Sequence, residues 1–190
     1  GIQDVSNWIS GNVSSYFIET DWSLEANLKD EFRERGWDYF PAVDLSSATN
    51  FAAAWFSNNL TSFPAIDLSN GTDFRSAWQG NSLISFPAID LSNGTDFTAT
   101  WRENNLTSFP ANMFDTNTTG DYQFAFRGNQ LNQQSVDNIL ISVNTSAQAN
   151  NITNGNLKIN GGTNATPSQS GKDAADALRA NGWTVDLNGY

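Results

Sequence analysis

The triplet Phe-Pro-Ala occurs four times, at Phe40, Phe63, Phe86 and Phe109, each copy 23 residues after the last. A unit of that length holds too few apolar side chains to fold by itself, so successive units must stack and share one core. The first three copies continue alike, as Val43-Asp44-Leu45-Ser46, Ile66-Asp67-Leu68-Ser69 and Ile89-Asp90-Leu91-Ser92, and the fourth diverges after Ala111. A second signature follows in each unit: Phe51-x-x-x-Trp55, Phe74-x-x-x-Trp78, Phe97-x-x-x-Trp101 and Tyr122-x-x-x-Phe126. Leu60, Leu83, Leu106 and Leu131 close the units, the last shifted by two extra residues around 118–120.

In the stretch 60–66 the apolar residues are three apart, which suits a short strand entering a bend, and Pro64 keeps that strand brief because it has no N–H to donate. Asn70-Gly71 is a turn pair. Thr72 is then placed to cap a short helix on which Phe74 and Trp78, four apart, share one face. Strand, turn and short helix in 23 residues fall within the leucine-rich-repeat range. The expected architecture is α/β: a leucine-rich-repeat solenoid with a short parallel sheet on one side, short helices on the opposite face and helix–strand caps at both ends.

At the front, Phe17 and Asp21 lie one period before Phe40 and Asp44, and Ser23 is placed to cap a helix through Leu24, Leu28 and Phe32 that Gly36 ends. At the back, Ser135 is expected to cap a helix through Val136, Ile139, Leu140 and Val143. A strand Leu157-Lys158-Ile159, a helix over 172–181 stopped by Gly182, and a last strand from Trp183 to Leu187 follow. Gly36-Trp37 and Gly182-Trp183 suggest one device for covering an exposed edge at either end. The chain thus divides into an N-terminal segment and capping repeat (1–39), four repeats (40–133) and a C-terminal cap (134–190).

The run Leu60-Thr61-Ser62-Phe63-Pro64 through Asp67-Leu68-Ser69-Asn70-Gly71-Thr72-Asp73-Phe74 to Trp78 resembles the BspA-like class of leucine-rich repeats of bacterial surface proteins. The tract Ser135-Val136-Asp137-Asn138-Ile139-Leu140, then Ile159-Asn160-Gly161-Gly162-Thr163-Asn164-Ala165 and the closing Gly182-Trp183-Thr184-Val185, is similar to repeat proteins of tailed bacteriophages. The resemblance spans roughly residues 40–187. It implies a binding surface on a tail fibre or virion surface and supplies no conserved catalytic site.

Composition narrows the chemistry. The chain has no Cys and no His, so thiolate, Ser-His-Asp and histidine-ligated metal chemistries are out of reach. Its 9 basic and 20 acidic residues give a net charge of −11, which is unsuited to nucleic acid. No apolar run reaches the roughly 18 residues of a membrane span. No enzyme activity, cofactor or metal is expected. The column Asp44, Asp67 and Asp90 could hold calcium or act as a glycosidase pair, but identical positions give identical environments, and each Asp is expected to bond within its own turn. Trp55, Trp78 and Trp101 are expected in the core rather than on a sugar-stacking platform. Asn-x-Ser/Thr sites at Asn59, Asn70, Asn93 and Asn105 follow from the repeat, so glycosylation is the weaker reading.

The repeats differ from one another beside the Trp column. The outward positions expected to bind a ligand are Phe56, Arg75, Gln79, Arg102, Glu103, Phe124 and Arg127. The expected function is a non-enzymatic recognition module, extracellular or on a virion surface, that binds a host cell-surface glycan or protein. Other virion or fibre subunits are further candidate partners. The alternatives are a structural subunit or adhesin of a fibre, filament or bacterial surface and, less favoured, a carbohydrate depolymerase.

Overall fold

The computed structural model describes residues 21–190, so the match of Phe17 to Phe40 lies outside the described residues. Helix and strand are mixed. A single 3-10 turn (Trp22–Leu24) precedes β1 (Asp121–Tyr122), α1 (Gln133–Ala149), β2 (Asn156–Lys158), α2 (Gln169–Ala180) and β3 (Thr184–Asp186). The strands form one parallel sheet in the order β1-β2-β3, with Tyr122 opposite Leu157 and Leu157 opposite Val185.

The Phe-x-x-x-Trp segments are not helices. In a helix every N–H reaches back four residues and φ stays negative. Here alternate N–H groups leave the segment: Phe51, Ala53, Trp55 and Ser57 donate to the carbonyls of Asp73, Arg75, Ala77 and Gln79 in the next repeat, at 2.8–2.9 Å. The same four bonds run from Phe74, Ser76, Trp78 and Gly80, and again from Phe97, Ala99, Trp101 and Glu103. The N–H groups between them close tight turns, such as Ala54 to Phe51 and Phe56 to Ala53. Each segment turns through two left-handed residues four apart, among them Ala53 and Ser57, Ser76 and Gly80, Phe124 and Gly128. Thr72, expected as a helix cap, instead donates its hydroxyl to the Thr49 carbonyl at 3.0 Å. The expected N-terminal helix is likewise replaced by turns, with Asp30 and Glu34 at positive φ.

The parallel sheet also lies on the other side from the one expected. Around 60–66 and its equivalents the described residues form one isolated bridge, Ser85 to Ser108, because the prolines interrupt the donor row. The bridges Asn27–Asn50, Asn50–Asp73 and Asp73–Asp96 run along the turn segments instead, and β1 opens the fourth of these segments. The sheet therefore continues the turn ladder into the C-terminal elements.

Those elements follow the expected order. Asn132, not Ser135, caps α1, its side chain accepting from the Ser135 N–H at 2.9 Å. Ser135 faces inward, where its hydroxyl accepts from the Phe109 N–H at 3.0 Å, and Ser142 does the same for Phe114 at 2.8 Å. The buried face of α1 thus satisfies the divergent stretch after Phe109, where no further repeat could do so. Buried Asp137 on α1 accepts from the Ser168 N–H at the start of α2 at 2.9 Å. Gly171 is required beside it, since a Cβ there would overlap the Asp137 carboxylate. Gly182, at φ +81°, stops α2 and turns the chain into β3.

Three aromatic columns run through the core, beside buried leucines such as Leu60, Leu83 and Leu106. Phe51, Phe74, Phe97 and Tyr122 lie ring over ring with centroids 5.3–5.6 Å apart. Trp55, Trp78, Trp101 and Phe126 do so at 5.0–5.8 Å, and Phe40, Phe63, Phe86 and Phe109 at 5.6–6.0 Å. The second and third columns meet edge to face, as in Trp55 against Phe63 at 4.8 Å. Such pairs contribute about 0.5–1.5 kcal/mol each beyond their buried area.

Candidate functional site

The ladder sets which side chains face out. Residues at the Phe and Trp positions are buried, and the residue after each, Ala52 excepted, is exposed or half-buried. Phe56, Gln79, Arg102 and Arg127 form one row, because their carbonyls accept from equivalent N–H groups of the preceding repeat. Arg75 belongs to a parallel row with Ala52, Thr98 and Gln123. Glu103 and Phe124 occupy left-handed positions, at φ 56° and 59°. All seven candidate residues thus lie on the outer side of the ladder, in adjacent rows rather than around one point. The strip is narrower than the sequence suggests, since Ala52 and Ala99 beside it are buried.

Its charges are largely matched locally. Arg75 pairs with Asp73 at 2.6 Å and with Asp96 of the next repeat at 3.4 Å. Bonding to the Asp73 carboxylate, followed by charge attraction to it, raises the Arg75 pKa above its ordinary value. Arg102 pairs with Glu103 at 2.7 Å. Phe56 lies beneath the Arg33 guanidinium, 4.6 Å from the ring centre. Phe124 carries two cations, Lys158 at 4.8 Å and Arg127 at 5.6 Å. Sequence reading missed Lys158, which β2 brings beside the fourth repeat through a sheet register no local pattern reveals. Exposed pairs of this kind contribute ~0–1 kcal/mol to stability; their effect is to hold long side chains in defined positions.

The acidic column is explained locally. Asp44 accepts from the Ser46 N–H at 3.0 Å and hydroxyl at 2.7 Å, and Asp67 and Asp90 each accept from a serine N–H two residues on at 2.9 Å. Asp21 repeats the motif with Ser23, as its place one period earlier predicts. The hydroxyl bonds, then the backbone bonds, hold Asp44 and Asp67 below the ordinary carboxylate range. Among the described residues no cluster of three acidic side chains suits a metal ion. Trp55, Trp78 and Trp101 are fully buried and offer no platform.

A column the sequence reading passed over is Asn58, Asn81, Asn104 and Asn129. Each is buried, and each carboxamide ties together the Trp-position carbonyls of its own repeat and the one before, or the equivalent Phe carbonyls at either end of the row. Asn164 in the C-terminal elements extends the column, donating to Phe126 at 3.0 Å. The signal was available: Asn recurs three residues after each Trp or Phe126. Comparison of the chain with protein-family models, curated proteins and solved structures finds no match.

Proposed function

We propose that this chain is a non-enzymatic recognition module, a leucine-rich-repeat solenoid of the BspA-like, phage-associated kind. In this reading it is displayed on a tail fibre or other virion surface and binds a host-surface saccharide or protein. The observation that carries the proposal is the contrast between invariant and variable rows. Beneath the strip, the Phe, Trp and Asn columns repeat nearly verbatim. On it, one row reads Phe56, Gln79, Arg102, Arg127, with guanidinium groups held against carboxylates or rings. Positioned polar and aromatic groups with little net charge suit a wet, hydrogen-bonding interface better than an ion-steered one. The depolymerase reading draws no support from the Asp column. Glycoside hydrolysis needs one carboxyl with a raised pKa, whereas Asp44 and Asp67 are both lowered.

The test is binding to an array of bacterial surface glycans and to host cells. Changing Arg75, Arg102 and Arg127 together to Ala should abolish binding while leaving the melting temperature within a few degrees of wild type. Undiminished binding by the triple variant would remove this strip from consideration. Self-assembly above monomer mass with no ligand found would favour the structural-subunit reading.

A further inference from the structure

An open cleft of about 320 Å³ lies where the fourth repeat meets the C-terminal elements, away from the centre of the strip. One wall is β1 and its continuation, with Asp121 and Gln123; the other is the segment entering β2, with Ile152, Thr153, Asn154 and Asn156. The floor is backbone. A Cβ on Gly120 would lie 3.1 Å from the Gly155 Cα, and one on Gly155 would strike the buried Trp183 ring at 2.6 Å. The walls are tied across that floor by the Asn156 N–H donating to the Gly120 carbonyl at 2.7 Å and by the pairing of β1 with β2. The cleft is therefore formed before anything enters it.

Part of its hydrogen-bonding capacity is unspent. Asp121 Oδ1 accepts from the Thr98 hydroxyl at 3.2 Å and the Gln123 N–H at 3.4 Å, while Oδ2 takes no bond among the described residues. The Asn156 carboxamide oxygen is buried, out of reach of a molecule in the cleft, so that side chain offers the cleft only its NH2 group. Among the described residues the Gln123 carboxamide also makes no bond and no cation lines the cleft. A carboxylate and two carboxamides beside one aliphatic side chain match a ligand that both donates and accepts through hydroxyls and carries no negative charge. The volume is at the small end of ligand sites, which run from roughly 300 Å³ upward.

We infer that this cleft binds one neutral hexose unit of a glycan, held by Asp121, Gln123 and Asn156. The inference takes its expectation of a saccharide from the recognition reading above but concerns a cleft that none of the three strip arginines lines, bordered by Gln123 of the Arg75 row. It is tested by saturation-transfer NMR on the whole chain with glucose, galactose, mannose, N-acetylglucosamine and N-acetylgalactosamine, each at about 10 mM, enough to populate a millimolar site. Sialic acid is the charged control. At least one neutral sugar should give transfer, sialic acid none. Thr153→Trp, which fills the cleft from an exposed position, should abolish the signal, and Gln123→Ala should weaken it about tenfold, with thermal melts confirming that both fold. Silence from every neutral sugar, transfer from sialic acid alone, or a signal surviving Thr153→Trp would overturn the inference. The two readings fail separately. Array binding that the arginine variant abolishes, with no neutral-sugar transfer, keeps the strip and removes the cleft; transfer lost in Thr153→Trp, with array binding undiminished in the arginine variant, keeps the cleft and removes the strip.

Discussion

Replacing Asn81 by Ala should be among the most damaging changes available to this chain at a polar position. Asn81 is 7 % exposed, and its carboxamide makes three bonds. It donates to the Trp55 carbonyl at 2.8 Å and the Trp78 carbonyl at 3.1 Å, and accepts from the Leu60 N–H at 3.1 Å. Each bond has a net value of about 1 kcal/mol, and a buried donor left stranded costs more than a bond merely lost. The two carbonyls keep second donors, Asn58 at 3.2 Å and Asn104 at 2.8 Å. The Leu60 N–H keeps nothing. The loss is therefore about 3–4 kcal/mol, which for a chain of this size lowers the melting temperature by about 10 °C. Asn70→Ala is the control: it removes one exposed bond, to the Ser46 carbonyl at 2.7 Å, and should cost under about 1 kcal/mol. Urea unfolding followed by both tryptophan fluorescence and far-UV circular dichroism gives the comparison. Coincidence of the two probes checks that the repeats unfold together. If Asn81→Ala shifts the midpoint no further than Asn70→Ala, the buried amide column is not what binds neighbouring repeats.

Two other outcomes follow from the same geometry. Gly94→Ala places a Cβ into the Phe97 ring, whose column position is fixed by Phe74 at 5.6 Å and Tyr122 at 5.3 Å; thermal melts should show a loss of about 1–3 kcal/mol, and an unchanged melt would mean the column yields easily. Asp44 and Asp67 titrate below their ordinary value when folded, so their contribution is complete above about pH 4 and disappears as pH falls through the lowered folded values. The urea midpoint should accordingly drop on acidification below pH ~4, and the drop should be shallower in the Asp44→Asn, Asp67→Asn double variant; equal slopes would sink the assignment.

Much of the fold was legible because it is written repeatedly. The Phe and Trp columns, the Asp turns and the order of elements after residue 133 all follow from spacing and from strong stop signals such as Gly182. The conformation of the Phe-x-x-x-Trp segments was not legible. Two side chains four apart share a face on a helix, but they also share a face on an extended ladder bent by turns, so spacing alone does not choose. The deciding residues are the left-handed ones, and most of them, Ala53, Ser57, Ser76, Ala99 and Glu103, are not glycine. Gly80 and Gly128 carried the hint, standing where Ser57 and Glu103 stand in other repeats. Which positions vary between repeats was legible from the spacing; which of them face out was not, since Ala52 and Ala99 are buried. The cleft was invisible in sequence because its two walls come from segments more than 25 residues apart and meet through the pairing of Asp121 with Asn156.

The direction of the ladder bonds has a genetic consequence. Along the turn segments each repeat presents donors to its successor and acceptors to its predecessor, and Ser62-Phe63-Pro64, Ser85-Phe86-Pro87 and Ser108-Phe109-Pro110 are interchangeable junctions. Recombination that removes residues 63–85 joins Ser62 to Phe86 through the same three residues and sets Phe51 opposite Asp96 with donor facing acceptor. Duplication of that block works in reverse. The chain can therefore change length in whole quanta without inventing a new contact, and every quantum adds or deletes one side chain from each outer row. Reach and ligand preference become coupled variables, altered together by a single crossover.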